Sequence, residues 1–381
     1  MIPYSTQTID TDDIRSVIKV LKSNYLTNGP TIKKFEKLIF KYTKSKYALS
    51  FNSATSALHA SCLALGLKKG DHFWTVPNSF ISSATCGLLC GANVDFVDIE
   101  KKSNNISIQS LKDKLHKAKK NKVLPKILIP VHLAGFPYNQ DEIWELSKEF
   151  NFKIIEDASH AFSARYKKNI VGSCKWSEIT VFSFHPVKIL TTAEGGCITT
   201  NNKDLFKKLS SLRDNGLVRN KANFKLKSTK KWYYEHQLLG YNYRMNDVQA
   251  GLGISQLKKI KKLQIKRKKI AKIYNRELIK NSKIEIPSFN NIFDPSLHLY
   301  IIKIKKNKRD RVLINLKKKG ILTNVHYLPI HLQPYFRKLG FKKGQFPNAE
   351  KYGTEALSIP IYPNLKFKDQ KKIIREIFKL V

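Results

Sequence analysis

Two apolar runs in this chain each end in a residue able to do chemistry. Phe152 to Ile155 leads through Glu156 into Asp157, and Ile179 to Phe184 leads through His185, Pro186 and Val187 to Lys188. In open α/β sheets, ligands bind beyond the carboxyl ends of strands, so both side chains can face one crevice. An acid and an amine that meet across a cofactor point to pyridoxal phosphate. The lysine would hold the cofactor aldehyde as a Schiff base, and the carboxylate would face the pyridinium nitrogen. An acid there keeps the nitrogen protonated, and the ring then draws electrons from a carbanion beside the imine. Taken alone, an Asp at a strand end commonly makes a turn. Lys188 would be one lysine among many but for its setting: it follows a strand, Pro186 restricts the turn, and Ser183, Gly195 and Gly196 are near in sequence. The glycine pair permits close backbone approach, and Ser183 is able to donate to a phosphate.

A phosphate needs a cradle. Ser53, Ala54, Thr55 and Ser56 stand between the strand-like run Tyr47 to Phe51 and an apolar helix from Ala57 to Leu67. A helix N-terminus offers unpaired N–H groups and positive dipole to an anion. The plainer alternative is an N-cap, for which Ser and Thr are common choices. His160, three residues beyond Asp157, is placed to reach a ring hydroxyl, although a lone His is more often structural.

These residues need elements to hold them. Asp10 to Ser23 reads as a short helix, Asn24 to Pro30 as a turn-rich connector, and Pro30 to Tyr42 as an amphipathic helix. Strands and helices then alternate: Phe73 to Val76, Ala84 to Cys90, Val94 to Val97, Ile108 to Lys119, Ile127 to Val131, Asn139 to Phe150. Such alternation predicts a mainly parallel sheet wrapped by helices. Near Gly251 the character changes. A long Lys-rich helix leads to a strand at Leu299 to Ile304, a helix at Arg309 to Lys319, a strand at Leu322 to His326, and two closing helices. The expectation is an α/β protein in two parts. Residues 1–250 form an N-terminal arm and a large cofactor-binding domain, and residues 251–381 form a smaller α+β domain.

With 381 residues, the chain can bury a large core. Its N-terminus lacks a signal pattern and no apolar run reaches spanning length, which predicts a cytoplasmic protein without a membrane partner. Cys62, Cys86, Cys90, Cys174 and Cys197 form no disulfide framework. Cys86 and Cys90 have i,i+4 spacing, but no His or second Cys pair accompanies them, so packing is expected and no metal. The formal charge of +41 invites a nucleic-acid reading. The excess is mostly Lys spread over helices and loops, with no zinc pattern, RNP motif or basic zipper. A solvated surface is expected, and no nucleic-acid partner. The basic stretch Lys221 to Lys231 is either a solvated loop or a cover for a bound nucleotide.

EDASHA, VFSFHPVK and ILTTAEGGCITTN closely resemble the signature of the DegT/StrS-type sugar-nucleotide aminotransferases, which are fold-type I pyridoxal phosphate enzymes. FNSATSALHAS, LRDNG, YNYRMNDVQAGLGISQL and NVHYLPIHLQPYF extend the likeness in order over nearly the whole chain. The resemblance implies that Lys188 forms the Schiff base and shuttles protons, that Asp157 pairs with the pyridinium, and that His160 touches the ring hydroxyl. It implies phosphate contacts from Ala54, Thr55 and Ser183, and an aromatic ring from Phe80 stacked on the cofactor. Asn242 would reach the phosphate and substrate of a neighbouring subunit, giving a homodimer with shared active sites. Tyr4, Asn24, Tyr25, Leu26, Thr27, Ser53, Ser183, Val325, His326, Tyr327 and Leu328 fall where the sugar nucleotide is contacted. MIPYSTQTID, SNYLTNGP and NVHYLPIH are most similar to the branch of the family that makes pseudaminic acid precursors. The implied reaction moves the amino group of L-glutamate to the 4-keto position of UDP-2-acetamido-2,6-dideoxy-β-L-arabino-hex-4-ulose. Another nucleotide-linked 3- or 4-keto sugar is the alternative. Family dehydratases replace the lysine with histidine, and this chain keeps Lys188. A non-catalytic regulator or polyanion binder on the same fold sits poorly with both Asp157 and Lys188 intact.

Overall fold

Asp10 opens the first helix, α1 (Thr11–Leu21), with a reciprocal capping box to Asp13. The next, α2 (Pro30–Thr43), starts on a proline that has no N–H to lose. Its remaining N-terminal donors go to one buried carboxylate: Asp247 accepts from Gly29 at 2.8 Å, Thr31 at 2.9 Å and Ile32 at 3.3 Å. The computed structural model describes residues 1–226, 228, 230–287, 292–305 and 308–381.

The alternation then proceeds through β1 (Tyr47–Phe51), α3 (Ala54–Ala64), β2 (His72–Thr75), α4 (Ser82–Leu88), β3 (Asn93–Phe96), α5 (Ile108–Lys120), β4 (Ile127–Ile129), α6 (Gln140–Phe150) and β5 (Lys153–Asp157). A short hairpin, β6 (Arg165–Tyr166) and β7 (Asn169–Ile170), precedes β8 (Ile179–Ser183), β9 (Gly196–Thr200) and α7 (Lys203–Arg213). Strands β10 (Leu217–Val218) and β11 (Glu235–His236) pair with each other ahead of α8 (Asp247–Lys258) and α9 (Ile260–Leu278).

Seven strands form the main sheet in the order β1-β9-β8-β5-β4-β2-β3. The run from β8 to β3 is parallel, while β9 pairs antiparallel with both β1 and β8. Successive side chains of a strand leave opposite faces. Phe73, Ile127 and Ile155 therefore pack beneath α3, whereas Trp74, Leu128 and Ile154 pack with residues of α5 and α6. A sheet covered on both sides has ligand access chiefly at its ends. Helix α3 is buried on almost every face, as a helix without a polar stripe must be.

The remainder contains β12 (Ile284–Glu285), β13 (Phe293–Asp294, paired with β6), β14 (Tyr300–Ile304), α10 (Arg309–Lys318), α11 (Pro334–Lys338), α12 (Pro347–Glu355), β15 (Ala356–Ile359) and α13 (Phe367–Leu380). Its small antiparallel sheet runs β12-β14-β15. Leu322 to His326, expected as a strand, is not one. Leu322 N–H bonds to Ile2 and Asn324 N–H to Ser358, so alternate residues serve different partners and no ladder develops. The third strand is Ala356–Ile359 instead. Ile2 packs into this C-terminal core, which ties the N-terminal arm across the molecule. A division at residue 250 falls inside α8; we propose that the two parts join through α8 and α9.

The fold is α/β of the fold-type I kind, with a large mixed sheet and a smaller α+β portion. Among the described residues, no helix is long and apolar enough to cross a membrane, and no group of three or more His, Cys, Asp or Glu side chains is placed to hold a metal. All five cysteines are free thiols. Lys227 and Thr229, within the basic stretch noted above, lie outside the described residues.

Candidate active site

Beyond the carboxyl ends of the parallel strands lies a cavity of about 430 Å³. Ser79 and Phe80 follow β2, Val131 follows β4, Asp157 ends β5, and Ser183 ends β8; all line it. Two hollows of about 590 and 510 Å³ occur elsewhere, but neither holds Lys188 or Asp157. Chemistry, not size, selects the smaller one.

Asp157 is buried and accepts from Ser83 Oγ at 2.6 Å and from the Ser159 N–H at 3.1 Å. Lys188 sits in the turn after β8, its backbone N–H bonded to the His185 carbonyl at 2.9 Å. Burial pushes its amine down to about 8, while the opposite charge of Asp157 works the other way. The Lys188 amine forms no ion pair among the described residues. Three imidazoles share the neighbourhood. Burial, reinforced by the Lys188 charge, holds His160 and His298 well below the usual histidine range and His326 at about 3. All three are neutral at physiological pH.

His160 has a defined tautomer. The Ala134 N–H donates to its Nδ1 at 3.2 Å, so the ring proton resides on Nε2, 3.2 Å from the Tyr327 hydroxyl. Burial, followed by the Asp157 charge, raises the Tyr327 phenol. His326 Nδ1 lies 2.7 Å from Ser358 Oγ, and its ring packs 5.6 Å from Tyr4.

Ser53 is the N-cap of α3, its hydroxyl accepting the Ser56 N–H at 3.1 Å. The N-cap alternative is therefore correct for Ser53, and the helix begins at Ala54, three residues earlier than expected. The Ala54 and Thr55 N–H groups find no acceptor among the described residues. Gly196 lies so close that a Cβ there would meet the Ser53 carbonyl and the Ala54 nitrogen at 2.5 Å. Strand β9 thus presses the helix start toward Ser183, its neighbour in the sheet. These groups fit pyridoxal 5'-phosphate: unpaired amides for its phosphate, an acid at the sheet end for its ring nitrogen, and an unpaired amine for its aldehyde.

The cavity gathers Tyr4, Ser53, Ala54, Thr55 and Phe80, together with Asp157, His160, Ser183 and Lys188, and, from the C-terminal part, Val325, His326 and Tyr327. It does not gather Asn24, Tyr25, Leu26, Thr27, Leu328 or Asn242. The connector Asn24 to Thr27 does not converge on this chain's own crevice. The Leu26 carbonyl accepts the Asp247 N–H at 2.9 Å, which fastens the connector at the start of α8, and Tyr25 and Leu26 are exposed. Leu328 points outward. Asn242 is bridged to Asp214.

Sequence reasoning missed Ser79, Ser83, His298 and Asn324. Ser83 has no local signal, because its partner Asp157 is 74 residues away. His298 announces itself only as a histidine before the apolar strand β14.

The sheet, the strand-end acid and the amine opposite it define a fold-type I, pyridoxal-phosphate-dependent transferase. Comparison with known proteins carries this further: a family profile for the DegT/DnrJ/EryC1/StrS aminotransferases matches residues 7–378. The chain belongs to that family and is a pyridoxal-phosphate-dependent sugar aminotransferase. It is 36% identical over 384 residues to the UDP-4-amino-4,6-dideoxy-N-acetyl-beta-L-altrosamine transaminase of Campylobacter jejuni, covering 100% of this chain and 98% of that relative. Among solved structures it is similar to Helicobacter pylori PseC, an aminotransferase involved in the biosynthesis of pseudoaminic acid, with a TM-score of 0.91, 30% identity, and coverage of 100% and 98% of the two chains. The pyridoxal phosphate form of the putative sugar aminotransferase Spr1654 of Streptococcus pneumoniae superposes with a TM-score of 0.89 at 27% identity, covering 100% and 99%.

Proposed function

We propose that the enzyme moves the amino group of L-glutamate to the 4-keto carbon of UDP-2-acetamido-2,6-dideoxy-β-L-arabino-hex-4-ulose. The observation that carries this reading is the full-length likeness to the Campylobacter jejuni transaminase named for the altrosamine product. The arm and loop that resemble that branch, at Tyr4 and Val325 to Tyr327, meet in the cavity beside Lys188.

Pyridoxal phosphate, when bound, supplies an aldehyde to carry nitrogen and a protonated ring to take up charge. The chain's own residues do the rest. Lys188 would hold the aldehyde, and its free amine, brought down to about 8 by burial, is suited to carry a proton at the reacting carbon. Asp157 would pair with the ring nitrogen. His160, as a neutral Nε2–H donor, would reach the ring hydroxyl. Ala54, Thr55 and Ser183 would hold the phosphate, and Phe80, exposed where it lines the cavity, would cover the ring. Tyr4, Ser53, Val325, His326 and Tyr327 hold the sugar nucleotide.

Pairing two chains would account for the residues that one chain leaves off its own cavity. Asn24 to Thr27, Leu328 and Asn242 would serve the cavity of a two-fold related subunit. Exposed Ile14, Ile18 and Leu21 share one face of α1, an apolar stripe that such an interface would cover. We place the enzyme in the cytoplasm, where five free thiols stay reduced.

A second reading is another nucleotide-linked keto sugar, favoured by 33% identity over 388 residues to the Bacillus subtilis spore coat polysaccharide biosynthesis protein SpsC. Side-by-side assays with L-glutamate decide between the two. The β-L-arabino 4-keto sugar is compared with its D-xylo epimer and with a dTDP-linked analogue, and products are read by NMR. The highest kcat/KM is expected for the first. A higher value for either alternative moves the enzyme to another sugar.

A further inference from the structure

Helix α4 starts with two adjacent serines whose hydroxyls part company. Ser82 Oγ lies 2.8 Å from Thr55 Oγ1, at the phosphate end of the cavity. Ser83 Oγ donates to Asp157 Oδ2 at 2.6 Å, at the ring end. Ser79 Oγ, one turn back, lies 2.9 Å from Ser83 Oγ. A serine has one hydroxyl hydrogen. Ser83 has committed its own to the carboxylate, so Ser79 must donate to Ser83. The result is a directed relay, Ser79 to Ser83 to Asp157. Ser83 and Ser79 are buried, where hydroxyls are costly unless satisfied. The second carboxylate oxygen takes the Ser159 N–H at 3.1 Å, so Asp157 is gripped from two sides.

We infer that Ser83 is a positioning residue for the cofactor: with Ser79 behind it, it holds the Asp157 carboxylate in the orientation that pairing with a protonated ring nitrogen requires. The physical reason is the length and sign of the contact. A hydroxyl donating to a carboxylate favours the charged acid, and charge-assisted bonds are the strong ones. Asp157 faces Lys188 and the neutral rings of His160, His298 and His326 across the cavity. Among the described residues the one other carboxylate lining the cavity is Glu194, which is exposed and lies toward His185. The inference rests on the proposed pairing of Asp157 with the ring nitrogen.

The test measures equilibrium binding of pyridoxamine phosphate, which needs no bond to Lys188, to the full-length protein freed of cofactor. The same titration is run with the carbon analogue, in which CH replaces the ring nitrogen. Ser83→Ala should weaken pyridoxamine phosphate by about tenfold and leave the carbon analogue within about twofold, the size of one lost hydrogen bond to a charged group. Ser83→Thr keeps the hydroxyl and should restore affinity. Ser79→Ala should show the same selectivity in smaller measure. In an Asp157→Asn background, Ser83→Ala should add nothing, because contacting residues couple. The visible circular dichroism of the bound cofactor should change in Ser83→Ala and return in Ser83→Thr. Equal weakening of both ligands, or losses that multiply in the double variant, would make Ser83 a packing residue and overturn the inference. If Asp157→Asn itself fails to distinguish the two ligands, the underlying pairing is wrong and the inference falls with it.

Discussion

Lys188 concentrates the chemistry because burial separates it from the other lysines of the chain. An ordinary lysine stays protonated to 10.5, whereas burial brings this one to about 8. The neutral amine, which is the nucleophile, is thus about one-tenth populated at pH 7 and dominant above pH 8. The rate of covalent cofactor capture by the freed protein should therefore rise with pH through a midpoint at about 8 and level off above it, as stopped-flow absorbance would report. A rise continuing to pH 10 means that the amine is solvated like any surface lysine. Lys188→Ala should bind cofactor without a borohydride-fixable adduct and without turnover. Mapping the reduced wild type to another lysine would remove Lys188 from the mechanism. The surrounding imidazoles do not blur this profile, since His160, His298 and His326 are held neutral by the same burial.

At the scale of elements, the site depends on how closely β9 approaches the start of α3. Gly196 faces Phe51 on one side and Ser183 on the other, and its missing Cβ is the space that Ser53 and Ala54 occupy. Gly196→Ala would bring a methyl within 2.5 Å of backbone, which cannot rotate away as a side chain can. The expected cost is about 1–3 kcal/mol of stability, with a matching loss of phosphate affinity as the helix start moves. Thermal melting and cofactor titration of the same variant check this. Unchanged values in both would show that the backbone yields and that the cradle does not need the close fit. The relay from α4 belongs to the same design: a short helix whose first turn sends one hydroxyl to Thr55 and the other to Asp157.

For the whole molecule, the proposal of shared sites makes a sharp demand. Lys188→Ala and Asn242→Ala chains, each inactive alone, should regain activity when mixed, because a hybrid dimer would contain one site with both residues intact. If exchange of subunits is confirmed and no activity returns, the sites are not shared. The charge of +41 acts at this scale as well. A doubly anionic diphosphate is drawn toward such a surface from beyond contact range, so KM for the sugar nucleotide should rise with salt while kcat holds. A KM indifferent to salt would confine the charge to solubility.

The sequence by itself determined the alternating elements, the sheet class, and the acid and amine at strand ends, because hydrophobic period and strand-end placement are local properties. Asp157 and Lys188 line one cavity beyond the strand ends, as that reasoning expected, whereas α3 begins three residues earlier than its apolar run suggested. Only the tertiary structure decided what depends on contacts distant along the chain. Leu322 to His326 reads as a strand by composition, yet Ile2 and Ser358 divide its hydrogen bonds between them. Ala356–Ile359, a short run after a helix, becomes a strand because β14 offers it an edge. Asn24 to Thr27 and Asn242 look like site residues in one dimension but leave their own chain's cavity, since Asp247 fastens the connector elsewhere. Ser83, one serine among many, becomes part of the site because folding brings Asp157 within 2.6 Å of it. Local pattern is set by each residue's own period and propensity, whereas partnership is set by packing between segments, and a linear sequence displays only the first.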